Sequence, residues 1–186
     1  MPTSTKNMNT TTNTASTLTR LSLKSFKTVR WMSEETICFT ASVLLDGKVI
    51  GTASNEGHGG CTFVHFTSPA AESNAEAFAK SISPLDIKGW EFLADKGFTL
   101  DCLIDILVER EDKKKANATI LRKVKKDLAD KVVFVKEGEC PKQGYRILKC
   151  GADGIAKGVQ AMRLKYGNIT VYNGLDDASL TAAFCL

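Results

Sequence analysis

The chain has 186 residues, of which 43% are hydrophobic and 25% are charged, and its formal net charge is +4. These values are typical of a globular protein whose core needs neither disulfides nor metal. None of the six cysteines forms a C-x-x-C pair, which argues against a zinc knuckle or a thioredoxin-like site. Without a signal-like start or an apolar run of ~20 residues, we expect a protein of the reducing cytoplasm with no membrane partner and no cofactor.

The composition divides the chain into four segments. Residues 1–18 are almost entirely Ser, Thr, Asn, Met and Lys and are predicted to form a disordered tail. Residues 19–130 are predicted to hold an antiparallel sheet with helices, residues 131–174 a β-β-α(-β) unit packed on it, and residues 175–186 a tail. Strands precede helices and do not alternate with them. The predicted fold class is therefore α+β, an N-terminal antiparallel β-meander packed by helices and followed by a smaller β-hairpin-plus-helix unit.

A β-hairpin is the clearest element. Apolar residues alternate with more polar ones along its first strand, the period of a strand with one buried face, at Ile37, Phe39, Ala41, Val43 and Leu45. The pair Asp46-Gly47 predicts a two-residue type I′ turn. The predicted register pairs Leu45 with Lys48, Val43 with Ile50 and Ala41 with Thr52. An earlier strand is predicted within residues 21–31, and a later one places Cys61, Phe63 and His65 on one face.

The predicted helices follow the third strand. Ser68 as N-cap and Pro69 at the first position start a helix that runs to about residue 81, and a short helix is predicted within residues 85–95. An apolar stripe then predicts a helix after Thr99, with Leu100, Leu103, Ile104, Leu107 and Val108 on one face. The stripe lapses in a charged stretch and resumes at Ile120. Either one long helix or two helices fit this pattern.

The C-terminal part is predicted to contain two strands, a helix and a short last strand. The strands are expected at residues 131–136 and 145–148, with turn residues between them. The helix begins near residue 153 and ends at Gly167, and the last strand is expected at residues 169–172. The sequence leaves the state of the remaining residues open.

The Gly-rich loop after the hairpin carries most of the chemically useful side chains. The candidate ligand-binding residues are Asn55, Gly57, His58, Gly59, Gly60, Cys61 and His65. Successive glycines let backbone N–H groups converge on an anion such as phosphate. The loop matches neither the P-loop nor the dinucleotide fingerprint. A connection that needs glycine for positive φ or close backbone approach is the structural alternative.

His58, Cys61 and His65 are also candidates for metal ligands or for a catalytic nucleophile with its base. Zinc takes nitrogen and sulfur ligands, but Cys61 and His65 on one strand face lie roughly 13 Å apart at ~3.3 Å per residue. A Cys61–His58 nucleophile pair is geometrically easier, yet no Asn or Asp that would orient the histidine is identifiable. We therefore predict no catalytic residue and no metal ligand.

A basic segment at residues 109–131 carries nine Lys or Arg against five Asp or Glu. The candidate nucleic-acid-binding residues within it are Lys113, Lys114, Lys115, Arg122, Lys123, Lys125 and Lys126. Such a face contacts phosphates without reading sequence, although no aromatic residue between positions 99 and 133 is available to stack on bases. A solvated helix face is the alternative for this segment. It is also the prediction for the acidic row of Asp101, Asp105, Glu109 and Asp112.

Three stretches, residues 33–36, the Asp46-Gly47 turn and residues 54–61 with their N-x-G-x-G-G-C pattern, resemble a family of small uncharacterised proteins of phages, plasmids and other mobile elements. Residues 131–134, 144–148 and 165–167 resemble the C-terminal part of that family. The resemblance implies a genomic context and no chemistry.

Three functional expectations follow, the first from the context that the resemblance implies and the other two from the residues themselves. The first is a non-catalytic accessory protein in the host cytoplasm, which engages a host protein or a small phosphate-bearing ligand, for instance to counter a host defence. The second is a nucleic-acid-binding protein without sequence specificity that uses the basic segment. The third is a small enzyme built on His58 and Cys61.

Overall fold

The alternating apolar residues of the N-terminal half form a four-stranded sheet in the computed structural model, which describes residues 18–87 and 89–185. The strands are β1 (Leu21–Thr28), β2 (Phe39–Leu45), β3 (Lys48–Asn55) and β4 (Phe63–Phe66). They pair antiparallel in the order β1-β2-β3-β4. The predicted tail at residues 1–18 lies outside the described residues apart from Leu18, which is buried.

The hairpin turn is the one that the sequence predicts. Asp46 and Gly47 both have positive φ, 51° and 75°, as a type I′ turn requires. Arg20 holds the Asp46 carboxylate through two hydrogen bonds of 2.7 Å.

The predicted register of the hairpin is correct only next to the turn. Leu45 pairs with Lys48, but a β-bulge follows, so that Val43 pairs with Gly51 and Ala41 with Ala53. The pairings of Val43 with Ile50 and of Ala41 with Thr52 are therefore wrong. The bulge adds one residue to β3, which lets Ile50, Ala53 and Asn55 all face inward despite their uneven spacing.

Helix α1 (Pro69–Lys80) begins as predicted, because the Ser68 hydroxyl accepts a hydrogen bond from the Ala71 amide at 3.2 Å. The prediction of a short helix over residues 85–95 is wrong. Two 3-10 turns, Pro84–Asp86 and Glu91–Leu93, stand there instead. Gly89, with φ +91°, lies between them in a conformation that ends a helix.

The charged stretch after Val108 does not interrupt the next helix. Helix α2 runs without a break over Leu100–Leu128, so of the two alternatives the single long helix is correct. Its first turns place Leu100, Leu103, Ile104 and Val108 in the core beneath the sheet, as the apolar stripe predicts. None of the helices in the described part of the chain is both long and apolar enough to span a membrane.

The chain divides into two compact units, residues 1–111 and 112–186, and the division falls inside α2. The second unit contains β5 (Lys131–Lys136), β6 (Arg146–Lys149), α3 (Ile155–Tyr166) and β7 (Ile169–Val171). Its antiparallel sheet has the order β6-β5-β7. The predicted α+β class, with an antiparallel sheet first and a smaller sheet-and-helix unit after it, is confirmed.

The segment at residues 175–186, for which the sequence predicted a tail, contains helix α4 (Asp177–Phe184). Asp176 caps this helix by accepting a hydrogen bond from the Ser179 amide at 2.7 Å. Leu180 and Phe184 are buried in the core of the second unit, where the Phe184 ring lies edge-on to that of Tyr172 at 4.7 Å. The helix therefore belongs to the fold.

Candidate functional site

The Gly-rich loop between β3 and β4 is pinned to the connection that precedes β2. The carbonyl oxygen of Gly57 accepts hydrogen bonds from three successive amides, those of Glu34, Glu35 and Thr36, at 3.0 to 3.3 Å. Gly57 has φ +91°, and a side chain there would collide with the carbonyl oxygen of Met32. Glycine at this position is therefore a structural requirement of the loop.

Asn55 organises the loop from beneath. Its side chain is 6% exposed, and its oxygen accepts hydrogen bonds from the Thr36 hydroxyl at 2.7 Å and the Gly57 amide at 2.8 Å. Its amide nitrogen donates to the Gly60 carbonyl at 2.9 Å and to the Thr62 hydroxyl at 3.4 Å. Because both ends of the amide are used, Asn55 fixes the loop and is not itself open to a ligand.

Thr62 links this network to helix α2. Its buried hydroxyl donates a hydrogen bond to Asp105 at 2.5 Å. Burial raises the pKa of Asp105, the hydrogen bond from Thr62 lowers it, and the neighbouring charges of Asp101 and Glu109 raise it again, so that the net pKa lies above the ordinary value. The prediction of a solvated acidic row is therefore wrong for Asp105, because this carboxylate turns toward the loop and is half-buried.

A cleft of about 430 Å³ lies next to this network, within the first unit. Its floor and walls include the buried Phe39 and Val108 and the partly buried Ile37 and Trp90. The indole of Trp90 stacks on the ring of Phe92, with centroids 5.6 Å apart. The described lining also has four carboxylates and no lysine or arginine; the acids are Glu34, Glu35, Asp105 and Glu109. The cleft therefore combines apolar walls with a concentration of negative charge.

Two of the loop amides donate hydrogen bonds within the protein. The Gly57 amide donates to Asn55, and the Gly59 amide donates to the Thr36 hydroxyl at 3.4 Å. A side chain at Gly59 would meet the carboxylate of Glu35, which shows that an acid faces the loop. These contacts leave the loop poorly suited to hold phosphate through its backbone.

The three titratable residues of the loop and of β4 do not converge. His58 is exposed and forms an ion pair with Glu34 through Nδ1 at 3.1 Å, when it is protonated. Cys61 is exposed and precedes β4, and His65 lies on β4 opposite Thr52. Within residues 18–87 and 89–185, no hydrogen bond joins Cys61 to His58, and no three His, Cys, Asp or Glu side chains are grouped to hold a metal.

The basic segment lies on the part of α2 that belongs to the second unit, and some of its cations are engaged there. Lys125 forms an ion pair with Asp177 at 2.6 Å, and the Lys123 amine lies 6.0 Å from the centroid of the Tyr145 ring. The other candidates are exposed on the helix, and two of them, Lys114 and Lys115, also have interaction partners; these other candidates are Lys113, Lys114, Lys115, Arg122 and Lys126.

Sequence reasoning missed Thr62, Asp105 and Trp90 as site residues. A weak signal existed for Thr62, since it is a hydroxyl two positions after the last glycine of the loop. No local signal marks Asp105, which comes to the loop only because α2 packs beneath the sheet. Comparisons of the chain with protein-family models, curated proteins and solved structures find no match.

Proposed function

We propose that this is a non-catalytic binding protein that takes a cationic side chain of a partner protein, an arginine above all, into the acidic cleft. The observation that carries the proposal is the state of Asp105. This half-buried carboxylate has a raised pKa, and the one donor to it within residues 18–87 and 89–185 is the neutral hydroxyl of Thr62. A cation placed against it relieves the unfavourable burial of its charge.

The charge balance of the cleft supports a cationic ligand. Among the described residues, none of Glu35, Asp105 and Glu109 forms an ion pair with a lysine, arginine or histidine. Glu34 adds a fourth carboxylate, whose one ion-pair partner among the described residues is His58. Opposite charges lower each other's energy most where water is partly excluded, as beside the apolar wall of this cleft.

The aromatic wall favours arginine over lysine. The planar guanidinium stacks on an aromatic face while its N–H groups bind a carboxylate, and a compact ammonium group does this less well. Trp90 lines the cleft together with Asp105, so one side chain of a partner is offered both kinds of contact. An exposed arginine in a loop or terminus of the partner protein is the ligand that fits this chemistry.

Of the two ligands expected from the sequence, a host protein agrees with an acidic cleft and a small phosphate-bearing ligand does not. The same carboxylates that attract arginine repel phosphate. The accessory role in a phage or mobile element rests on the resemblance alone and stays a proposal about context. No catalytic step is assigned to His58 or Cys61.

The test is an NMR titration of the ¹⁵N-labelled full chain with the peptide acetyl-Gly-Arg-Gly-amide. We expect shifts of the Trp90 indole N–H and the Gly60 amide, and none with the matched peptide that carries neutral citrulline. Asp105→Asn is expected to weaken binding about tenfold or more, because truncating one partner of a desolvated charge pair has effects of this size.

The control variant Asp95→Asn removes the same charge from an exposed position of the same unit and leaves the affinity unchanged. Equal affinities for the arginine and citrulline peptides contradict the proposal. So do shifts at the loop amides on addition of inorganic phosphate, because they indicate an anion site.

A further inference from the structure

The four-stranded sheet of the first unit has one covered face and one open face. Phe39, Ala41 and Val43 point into the core from β2, whereas the residues between them point outward. Cross-strand partners of an antiparallel sheet share a face, so the pairing defines which side chains lie together on the open side. Two complete rows cross all four strands there.

The first row joins Lys24, Ser42, Thr52 and His65, and the second joins Lys27, Thr40, Ser54 and Phe63. Each row therefore has a lysine at the β1 edge, two hydroxyls in the middle and an aromatic ring at the β4 edge. An irregularity between Lys24 and Lys27, where Ser25 has φ +54°, brings both lysines to the same face although they are three positions apart. With strands ~4.8 Å apart, each row is about 14 Å long.

The charge of this face is positive. Strands β1 to β4 contain no Asp or Glu at all. Lys24 and Lys27 are exposed, and neither forms an ion pair with a residue that the structure describes. The acids that directly flank β2 and β3, Asp46 and Glu56, lie in the connections, and Arg20 already holds Asp46. The open face thus complements an anionic ligand.

The two aromatic side chains that β4 places on the open face are exposed to solvent. Phe63 is 70% exposed, and His65 is exposed beside it on the same edge strand. An exposed ring on an open sheet is a platform on which an unpaired base stacks, and this stacking tolerates any base. The hydroxyls of Thr40, Thr52 and Ser54 lie between the rings and the lysines, where they can bind sugar or phosphate oxygens.

From these rows we infer that the open face of the sheet binds single-stranded nucleic acid. The bases stack on Phe63 and His65, and the backbone phosphates lie toward Lys24 and Lys27. A duplex keeps its bases stacked inside and cannot offer them to the rings, so single strands are preferred. This site is separate from the basic segment of α2 and independent of the acidic cleft.

The test is fluorescence anisotropy of the full chain with fluorescein-labelled oligo(dT) and oligo(U) of about 16 nucleotides. We expect the Phe63→Ala variant to bind at least about fivefold more weakly, since stacking on one ring has effects of this order. Phe63 is too exposed for its loss to disturb the core. In wild type, two phosphate contacts predict a slope of log affinity against log salt of about −1.4.

Matched charge variants decide which surface binds. Lys24→Gln with Lys27→Gln is expected to bring the salt slope close to zero, whereas Lys113→Gln with Lys126→Gln, which removes two exposed lysines of α2, leaves it unchanged. The reverse pattern overturns the inference in favour of the basic segment. Absence of binding at low salt also overturns the inference and leaves a protein as the partner of this face. Tighter binding of a duplex than of the single strand overturns it as well.

Discussion

Asp105 and Asp127 lie on the same helix, one in each unit, and their carboxylates have opposite surroundings. Asp127 accepts hydrogen bonds from the Lys131 amine and the Tyr145 hydroxyl, both at 2.7 Å. Its pKa is lowered, first by the hydrogen bond from Lys131, whereas the pKa of Asp105 is raised, first by burial. Among the described residues Asp105 is bonded to Thr62 and to no cation.

This difference separates a carboxylate that is paired within the fold from the one on which we base the proposed binding of a cation. The side chains of Asp127 and Lys131 are only 13% and 15% exposed, so each satisfies the other inside the second unit. Asp105 carries charge in a partly dry cleft and has no such partner within the described part of the chain. A partly buried acid that lacks its counterion is a more promising binding residue than one that is fully paired.

The largest expected effect is that of Asp127→Ala on the second unit. The substitution leaves the largely buried Lys131 amine without its main partner and the Tyr145 hydroxyl without an acceptor. We expect the thermal midpoint of that unit to fall by roughly 10 °C. Hydrogen exchange of peptides from β5 and β6, recorded at a series of temperatures, measures this fall in the midpoint. Asp130→Ala is the control, because Asp130 is 60% exposed and lies 3.3 Å from the same amine; an equal loss in both variants contradicts the assignment.

Thr62→Val is expected to have the next largest effect, now in the first unit. Valine keeps the shape of threonine but removes the donor to Asp105 and one acceptor for Asn55. We expect the free energy of unfolding to fall by about 1–2 kcal/mol. It also raises the pKa of Asp105 further, since the hydrogen bond from Thr62 lowers that pKa in the wild type. Urea unfolding and an NMR titration of Asp105 measure the two effects. Thr52→Val, at an exposed strand position, serves as control, and an unchanged Asp105 pKa rejects the role of Thr62.

Tyr145→Phe is expected to destabilise the second unit by about 1 kcal/mol. It removes one hydrogen bond to Asp127 but keeps the edge-on contact of the ring with Phe184, whose centroid is 5.5 Å away. Lys131 remains to pair with the carboxylate. Chemical unfolding of this variant beside Tyr166→Phe, whose hydroxyl lies on a more exposed ring, provides the measurement. An effect as large as that of Asp127→Ala would show that the hydroxyl, and not the amine, holds Asp127.

Asp105→Asn is expected to have the smallest effect on stability at neutral pH. The free energy of unfolding stays the same or rises slightly. The amide oxygen still accepts the Thr62 hydroxyl, and no charge has to be buried. Because the folded pKa of Asp105 is raised, its contribution to stability is fully present below the ordinary value of 3.8 and is lost as pH rises through the folded pKa. The variant should therefore lose less stability than wild type between about pH 4 and pH 7.

The pH dependence of Asp127 has the opposite sign. Its folded pKa is lowered, so its stabilising contribution is present above 3.8 and is lost as pH falls through the folded pKa. Hydrogen exchange resolved by unit, with wild type beside Asp105→Asn and Asp127→Asn, measures both slopes. If stability changed with pH in the same direction in both units, the two aspartates would not differ as described.

Local patterns were enough to predict much of the fold. The period of two in β2, the Asp46-Gly47 turn and the Ser68-Pro69 helix start all depend on residues close in sequence. The β-bulge in β3 escaped this reasoning because its cause is not local: Ile50, Ala53 and Asn55 must all face one core. Helix α4 escaped it because its small residues carry a weak pattern, although Asp176 before Leu180 and Phe184 was a usable signal.

The candidate site shows the same limit more sharply. The glycines identified the loop, but the cleft beside it is built from residues that join it only in the folded chain. Trp90 belongs to an irregular segment with no periodic signal, and the two lysine rows of the open face depend on a strand irregularity at Ser25. Sequence pattern therefore predicted the loop and not the surfaces around it.

By itself, the amino-acid sequence determined the α+β order of elements, the hairpin turn and the apolar face of α2, because backbone propensity and side-chain period act between near neighbours. Only the tertiary structure decided that Asp105 meets Thr62, 43 positions away, and meets no cation among the residues that the structure describes. The energy of a buried charge depends on all the groups around it, and those groups are brought together only when the chain folds.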